Sequence, residues 1–172
     1  LAAMYMLSSL FSPVYIAAPM LLPFIPCEQV NLSIQYGNAT FSAFGYANYG
    51  VILNGVSQDI ENAYKFGQLA LKLVEKLDIK ELRAKVINQV AVFIMHGKDL
   101  LRKTVPLFRQ AYQLSVENGD LEFAGYAAMN HCQYAYFSGL ELTRLQGEMT
   151  TYSHALAHLK QDVTLNYNQI FR

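Results

Sequence analysis

Few residues in this sequence have the types and spacing that chemistry requires, and the histidines come first. His154 and His158 lie four residues apart, so on a helix they would share one face, a spacing that can hold zinc. No HExxH glutamate and no third ligand lies nearby, so two ordinary polar positions on a helix surface are the competing interpretation. His131 and Cys132 are neighbours and would point about 100° apart on a helix, which is unsuited to a catalytic pair. The sequence predicts no catalytic, cofactor-binding or metal residues.

Motifs for nucleotide chemistry are also absent from the 172 residues. No GxxxxGK[ST] loop, GxGxxG, HRD or DFG occurs, so we expect this segment to be non-catalytic and without a cofactor. The formal net charge is zero and the basic residues form no run, which argues against nucleic acid as a partner. Cys27 and Cys132 belong to no CxxC pair, which predicts buried thiols in a reducing cytoplasm.

Tyrosines are the best candidates for a binding surface. The chain has 12 tyrosines and 10 phenylalanines but no tryptophan. Tyr126, Tyr134 and Tyr136 fall in one predicted helix, and Tyr46 and Tyr49 in another. Solenoids use aromatic and polar side chains on inner helices to hold peptides. The competing interpretation is that long helices pack with large side chains and leave the hydroxyls at the boundary.

Two sets of regularly spaced residues, which we call ladders, define the helices that would position these tyrosines. Gly55, Gly97 and Gly139 recur every 42 residues. Between them, Asn38, Asp78, Asp120 and Asp162 recur at intervals of 40, 42 and 42, each just ahead of a run typical of a helix. Because glycine ends helices and Asn or Asp caps them, the ladders predict a repeated helix-turn-helix unit.

Local signals add detail to individual helices. Asp59 and Asp120 are expected N-caps, and Asp78 with Glu81 matches a capping box. The helix after Asp78 is predicted to end at Gly97 in the left-handed conformation. The following helix is predicted to start near Thr104 with Pro106 in its first turn, where a missing N–H costs nothing.

The repeats resemble tetratricopeptide repeats in their second helices. Ala70, Ala111 and Ala155 occupy matching places, and aromatic residues precede two of them by three positions. The period is longer, and the Trp-Leu-Gly-Tyr signature of the first helix is missing. The predicted fold is therefore all-α, a right-handed helical-hairpin solenoid with tetratricopeptide-like repeats of about 42 residues. The predicted organisation is an irregular, proline-containing helical part at 1–37, three hairpins within 38–162 (38–77, 78–119 and 120–161), and the start of a further repeat at 163–172.

The N-terminal third differs from the rest in charge. Residues 1–57 contain one charged side chain, Glu28, and the 27 residues before it are long enough to suggest a membrane span. Four prolines between positions 13 and 26 argue against a span and favour short buried helices joined by proline turns. Such a segment is expected to pack against the rest of the chain or a preceding domain. A start at Leu1 without a basic stretch excludes a signal peptide and suggests a piece of a longer polypeptide, with a seventh helix cut off at Arg172.

Three groups of stretches are distinctive beyond the repeat: SPVYI at 12–16, then Pro19, Leu22-Pro23 and VNLS at 30–33; YGN at 36–38, Ser42-Ala43 and YANYG at 46–50; and ENGDLEFAGYA at 117–127. They resemble the long helical region of very large bacterial multi-sensor signalling kinases, which are common in cyanobacteria. Such proteins combine a Ser/Thr kinase-like domain, an AAA-type ATPase, a helical region, GAF or PAS sensors and a histidine kinase. The resemblance implies a cytoplasmic signalling protein whose ATP- and Mg²⁺-dependent chemistry lies outside this segment.

These observations predict a non-catalytic interaction and regulatory module of a multi-domain signalling kinase. Its expected partners are proteins or other domains of the parent kinase, and neither nucleic acid nor a membrane is expected. The module would relay partner or ligand binding to the ATPase and kinase domains. The alternative is a small-ligand sensor that holds an effector on a concave face rich in tyrosine.

Overall fold

A computed structural model describes residues 2–171 of the chain. Leu1 and Arg172 lie outside the described residues, and these are the positions of the expected start and of the expected cut of the last helix. The all-α expectation is confirmed, because residues 2–171 form nine α-helices and no β-strand. The helices are α1 (Ala2–Ala17), α2 (Phe24–Tyr36), α3 (Ser42–Gly55), α4 (Ile60–Lys76), α5 (Lys80–Phe93), α6 (Val105–Glu117), α7 (Leu121–Phe137), α8 (Leu142–His158) and α9 (Asp162–Ile170). Short 3-10 turns lie at Pro19–Leu21, Met95–Gly97 and Leu101–Lys103.

The chain divides into two compact units, unit 1 up to Lys98 and unit 2 from Asp99. In unit 1, α3 packs most extensively against α4 and also contacts α2 and α5, while α1 lies mainly on α2. In unit 2, α7 packs most extensively against α6 and also contacts α8 and α9. The boundaries predicted for the three hairpins remain predictions.

Small residues allow α3 and α4 to approach closely. A Cβ atom on Gly50 would lie 3.0 Å from the Ala63 carbonyl oxygen and 2.7 Å from Ile94 Cδ1. Ala63 is 1% exposed, so the contact is fully enclosed. Beside it, the rings of Tyr49 and Phe66 pack edge to face with centroids 4.8 Å apart. The hairpin therefore combines a close backbone contact with an aromatic one.

The predicted caps at Asp59 and Asp120 are confirmed. Asp59 Oδ1 accepts a hydrogen bond from the Asn62 backbone N–H at 3.1 Å, and Asp120 Oδ1 accepts one from the Phe123 N–H at 3.3 Å. Each bond satisfies a backbone donor that the helix itself leaves unpaired. Glu141 caps α8 in the same way, accepting from two N–H groups at 2.9 Å, although its residue type gave no cap signal.

The predicted helix ends are correct at Gly55 and near Gly119 and Gly139. Gly119 (φ +72°) and Gly139 (φ +77°) follow α6 and α7 in the left-handed conformation. The prediction for Gly97 is wrong, because α5 ends at Phe93 and Gly97 closes a 3-10 turn without a positive φ. Glycine is needed there for space, since a Cβ atom would lie 2.8 Å from Ile60 Cγ2.

The predicted capping box at Asp78 is also wrong. Asp78 itself takes the left-handed conformation (φ +47°), and Ile79 becomes the N-cap of α5 with no side-chain cap bond. Ile79 is only 7% exposed, so the helix start that buries the Ile79 side chain is favoured over the start that Asp78 would cap. Asn38 likewise precedes α3 without capping it, since its Oδ1 atom accepts a hydrogen bond from the Tyr46 hydroxyl at 2.6 Å.

Helix α1, at the start of the N-terminal third, is less buried than expected. One 16-residue helix, α1, continues through Pro13, and only Met4 and Phe11 of its side chains are buried. The bond that Pro13 removes would involve the Ser9 carbonyl, and both residues are exposed, so water can replace it. No helix of residues 2–171 is long and apolar enough to cross a membrane.

Replacing Gly50 with alanine should destabilise the chain by about 1–3 kcal/mol, because the Ala63 carbonyl cannot move away from the new methyl group. Urea unfolding followed by circular dichroism measures this change. Gly55→Ala is the matched control in the same helix, since nothing lies within 4 Å of its added Cβ atom. It should leave the free energy of unfolding unchanged or raise it by up to about 1 kcal/mol. Equal effects of the two substitutions would contradict the close contact.

Candidate functional site

The two candidate tyrosines of unit 1 are engaged within the fold. Tyr46 is 7% exposed, and its hydroxyl donates to Asn38. Tyr49 is half-buried, with its ring against Phe66. Both lie on α3. A ligand could reach the edge of Tyr49 more readily than Tyr46, and a binding role for either stays a prediction.

The three candidate tyrosines of unit 2 lie on α7 in different surroundings. The Tyr126 hydroxyl donates to Glu122 Oε1 at 3.1 Å, and burial together with that carboxylate raises the pKa of Tyr126. The Tyr134 ring packs edge to face on Phe108 with centroids 4.8 Å apart, and burial raises the pKa of Tyr134. Tyr136 is 46% exposed. Positions 134 and 136 point to nearly opposite sides of a helix, so the three do not share one face.

Tyr136 lines a shallow groove of about 250 Å³ in unit 2, which we call the Tyr136 groove. Its lining is Tyr136, Leu142, Leu145, Gln146, Met149 and Phe171. The rings of Tyr136 and Phe171 lie 5.9 Å apart between centroids. Four of the six lining residues are apolar, and the Gln146 amide and the Tyr136 hydroxyl are polar groups of the lining. Such a groove can hold a flat apolar group with a polar edge.

A second feature of unit 2 is a charged cluster around a buried histidine, which we call the His131 centre. It consists of His131, Glu148, Arg109, Arg144 and the Val105 carbonyl. The His131 ring has no exposed surface. Its Nδ1 atom lies 3.2 Å from the Val105 carbonyl oxygen, and its Nε2 atom lies 2.7 Å from Glu148 Oε2. The ring therefore connects α7 to both α6 and α8.

Glu148 is the hub of the His131 centre. Its Oε1 atom accepts from Arg144 Nε at 3.0 Å, and its Oε2 atom lies 3.5 Å from Arg109 Nη2. Burial by itself would raise the pKa of the Glu148 carboxyl, but the hydrogen bonds from His131 and Arg144 and the charges of His131 and Arg109 hold it below its usual value. Tyr152 of α8 packs against the His131 ring, with the two ring centroids 5.1 Å apart. Glu148 is thus an ionised carboxylate with three partners, namely His131, Arg144 and Arg109.

Cys132 is placed away from any reactive arrangement. Its thiol is fully buried and packs with Ala135, Leu145 and Met149. Burial, followed by the charge of Glu148, raises the pKa of Cys132 to about 12. Because the thiolate is the nucleophilic form, this thiol is a poor nucleophile at neutral pH.

His154 and His158 are both exposed on α8. Residues 2–171 contain no cluster of three or more His, Cys, Asp or Glu side chains that could hold a metal ion. The sequence analysis missed the role of His131, because its partner Glu148 lies 17 residues away on another helix. A signal was present in the repeat, since position 131 follows the polar position Gln89 by 42 residues.

The outward side of α1 is an exposed, uncharged surface of unit 1. Met6, Leu10, Pro13 and Ile16 recur at helical spacing along it and are all exposed; we call them the α1 outer stripe. Met6 is 63% and Ile16 is 76% exposed. The opposite side of α1 buries Met4 and Phe11, so the helix is apolar on both sides.

These features define the class of the protein as an all-α chain of packed helices with an uncharged exposed helix face. Among known proteins it is similar to Hybrid signal transduction histidine kinase G of Dictyostelium discoideum, with 29% identity over 115 residues. That match covers 66% of this chain but only 3% of the kinase, so the chain spans a small fraction of the relative's length. No family model and no solved structure matches the chain.

Replacing Glu148 with glutamine should destabilise the chain by about 2 kcal/mol near neutral pH, because charge-assisted hydrogen bonds are lost. Since the folded pKa of Glu148 is lowered, its contribution is complete above the pKa of an unfolded glutamate, about 4.3. It is lost as the pH falls through the folded value. The difference between wild type and Glu148→Gln should therefore shrink on acidification, as measured by urea unfolding over a pH series.

The control for this series is Glu117→Gln, which changes an exposed carboxyl on α6. It should stay within about 0.5 kcal/mol of the wild type near neutral pH. A difference between wild type and Glu148→Gln that stays constant across the acid range would contradict the ionised state of Glu148.

Proposed function

We propose that this chain is a non-catalytic helical-repeat interaction and regulatory module of a multi-domain signalling kinase. It relays the binding of a partner to ATPase and kinase domains outside residues 1–172. Two observations support the proposal: the similarity to a histidine kinase and the exposed, uncharged α1 outer stripe. The stripe is the observation that carries it.

A helix that is apolar all round is normally buried on all sides. Here Met4 and Phe11 bury the inner side of α1, while Leu10 is 48% and Ile16 is 76% exposed. The nearest charged residue along the chain is Glu28. A surface of this kind suits a partner whose own contact face is apolar and uncharged. We assign that role to a helical segment within the other domains of the parent kinase.

The finer architecture belongs to the same proposal. The 42-residue period favours a right-handed, tetratricopeptide-like solenoid, in which each hairpin packs on its neighbours. The parent protein would be a cytoplasmic histidine kinase, Ser/Thr kinase or both, with the domain plan of the large bacterial kinases, and ATP and Mg²⁺ would bind in its other domains. The kinase from Dictyostelium discoideum supports the signalling context.

A small-ligand sensor is the second candidate, and the Tyr136 groove favours it. The groove offers two aromatic rings, Tyr136 and Phe171, with Gln146 as a polar neighbour. Its volume of about 250 Å³ suits a metabolite smaller than most drug-sized ligands. Binding there would stabilise unit 2 and so report the ligand to neighbouring domains.

Ile16→Glu should weaken binding of residues 1–172 to the purified remaining domains of the parent kinase by about tenfold or more, since a charge must then be desolvated. Isothermal titration calorimetry measures this affinity, and autophosphorylation of the full-length variant measures the regulation. Ile170→Glu is the matched control, because Ile170 is 75% and Ile16 is 76% exposed. The proposal fails if the wild-type segment binds none of these domains and its deletion leaves autophosphorylation unchanged.

The sensor alternative predicts a ligand-dependent rise in melting temperature in a thermal-shift screen of aromatic and other small metabolites. A ligand at 100 times its dissociation constant stabilises the native state by about 2.7 kcal/mol. Tyr136→Ala should abolish the rise, whereas Tyr126→Phe, outside the groove, should preserve it. A rise that survives Tyr136→Ala would place the ligand elsewhere.

A further inference from the structure

Both nitrogens of the His131 ring face atoms that accept hydrogen bonds. Nδ1 meets the Val105 carbonyl oxygen at 3.2 Å, and Nε2 meets the Glu148 carboxylate at 2.7 Å. A neutral imidazole has one donor nitrogen and one acceptor nitrogen, so it would set a lone pair against an oxygen. With the ring fully buried, water cannot relieve that contact. Both hydrogen bonds can form only when His131 and Glu148 together hold one proton more than a neutral imidazole and a carboxylate do.

The proton could sit on the ring or on the carboxyl group, and the arginines decide between them. Arg144 Nε donates to Glu148 Oε1 at 3.0 Å, and Arg109 Nη2 approaches Oε2 at 3.5 Å. Two guanidinium groups favour the ionised carboxylate, which accepts at both oxygens. The second proton therefore belongs to the ring.

We propose that His131 is a buried imidazolium, protonated on both ring nitrogens, that acts as a charge-dependent lock on the three helices α6, α7 and α8. The lock holds α6 through the carbonyl of its first residue, Val105, and through Arg109. It holds α8 through Glu148. Removing the ring charge leaves one of these bonds without a donor, and the start of α6 is then released from α7.

The surrounding groups support this arrangement from each packed helix. Tyr112 of α6 packs edge to face on Tyr152 of α8 with centroids 5.1 Å apart, and Tyr152 covers the His131 ring. The neighbouring thiol of Cys132 is buried, and Asn168 of α9 lies beside it. These four groups are neutral, so Glu148, Arg109 and Arg144 carry the charges that face the ring.

The repeat shows why the charge is a special feature of unit 2. Position 131 corresponds to Gln89, which in turn follows Asn48 by 41 residues. In unit 1 these two buried amides pair with each other, with Gln89 Nε2 donating to Asn48 Oδ1 at 3.1 Å. A neutral amide pair keeps its donors in every protonation state. At the position equivalent to Gln89, His131 pairs instead with Glu148 of the following helix, and that ionic pair depends on the presence of a proton.

The protonation state is tested directly by long-range ¹H–¹⁵N correlation spectra of the histidine rings near neutral pH. We expect both ring nitrogens of His131 to give protonated shifts, with ring N–H signals that exchange slowly with water. His96, His154 and His158 are exposed and serve as internal references, and His131→Gln assigns the signal. A ring nitrogen of His131 with the shift of an unprotonated acceptor would overturn the proposal.

The lock itself is tested by hydrogen exchange of the α6 backbone amides in a double-mutant cycle. His131→Gln and Glu148→Gln should each speed exchange in the first turns of α6 by about tenfold or more, since each breaks the ionic pair. The double variant His131→Gln/Glu148→Gln recreates a neutral amide pair and should exchange more slowly than either single variant. Additive effects of the two substitutions would show that the two side chains do not act as one lock. The spectra of the wild type remain decisive if a single variant fails to fold.

Discussion

The close approach of paired helices is the constraint on which the rest of this structure depends. Gly50 lets α3 reach the Ala63 carbonyl, and Ala111 of α6 is completely buried in unit 2. With the backbones this close, large side chains must lie beside the contact, where Tyr49 packs on Phe66. Water has little room between the helices, so a polar side chain placed there is stabilised by a partner within the protein.

That requirement explains the polar pairs inside both units. A buried ionic pair stabilises little against an apolar replacement, because desolvation offsets most of the attraction, but breaking one partner is costly. Such pairs therefore contribute more to the choice of helix register than to total stability. Asn48 pairs with Gln89 between α3 and α5, and His131 pairs with Glu148 between α7 and α8. Gln89 and His131 occupy equivalent positions of the repeat, 42 residues apart.

Local chemistry in the sequence predicted the helices and the caps at Asp59 and Asp120, because these depend on neighbouring residues. It failed at Asp78 and Gly97, where contacts distant in sequence decide: Ile79 is buried at the cap, and Ile60 occupies the space beside Gly97. The continuous α1 was missed for a different reason, since the backbone around Pro13 is exposed and water can satisfy it. The pairing of His131 with Glu148 joins two helices, and a single sequence contains no direct sign of it. The tyrosines were found as residues, and helix geometry alone separates Tyr134 from Tyr136, but the partners of their rings and hydroxyls depend on packing.

The side chains that could be the most reactive already take part in contacts that hold the fold together. The Cys132 thiol is held in its protonated form, and both nitrogens of His131 are bonded to neighbouring helices. The Tyr46 hydroxyl is bonded to Asn38. A catalytic base or nucleophile needs a free lone pair that a substrate can reach, and none of these three groups offers one. Apolar surface that a partner could reach lies on the α1 outer stripe and in the Tyr136 groove. This is why we propose recognition as the role of the chain, with the His131 centre joining α6, α7 and α8.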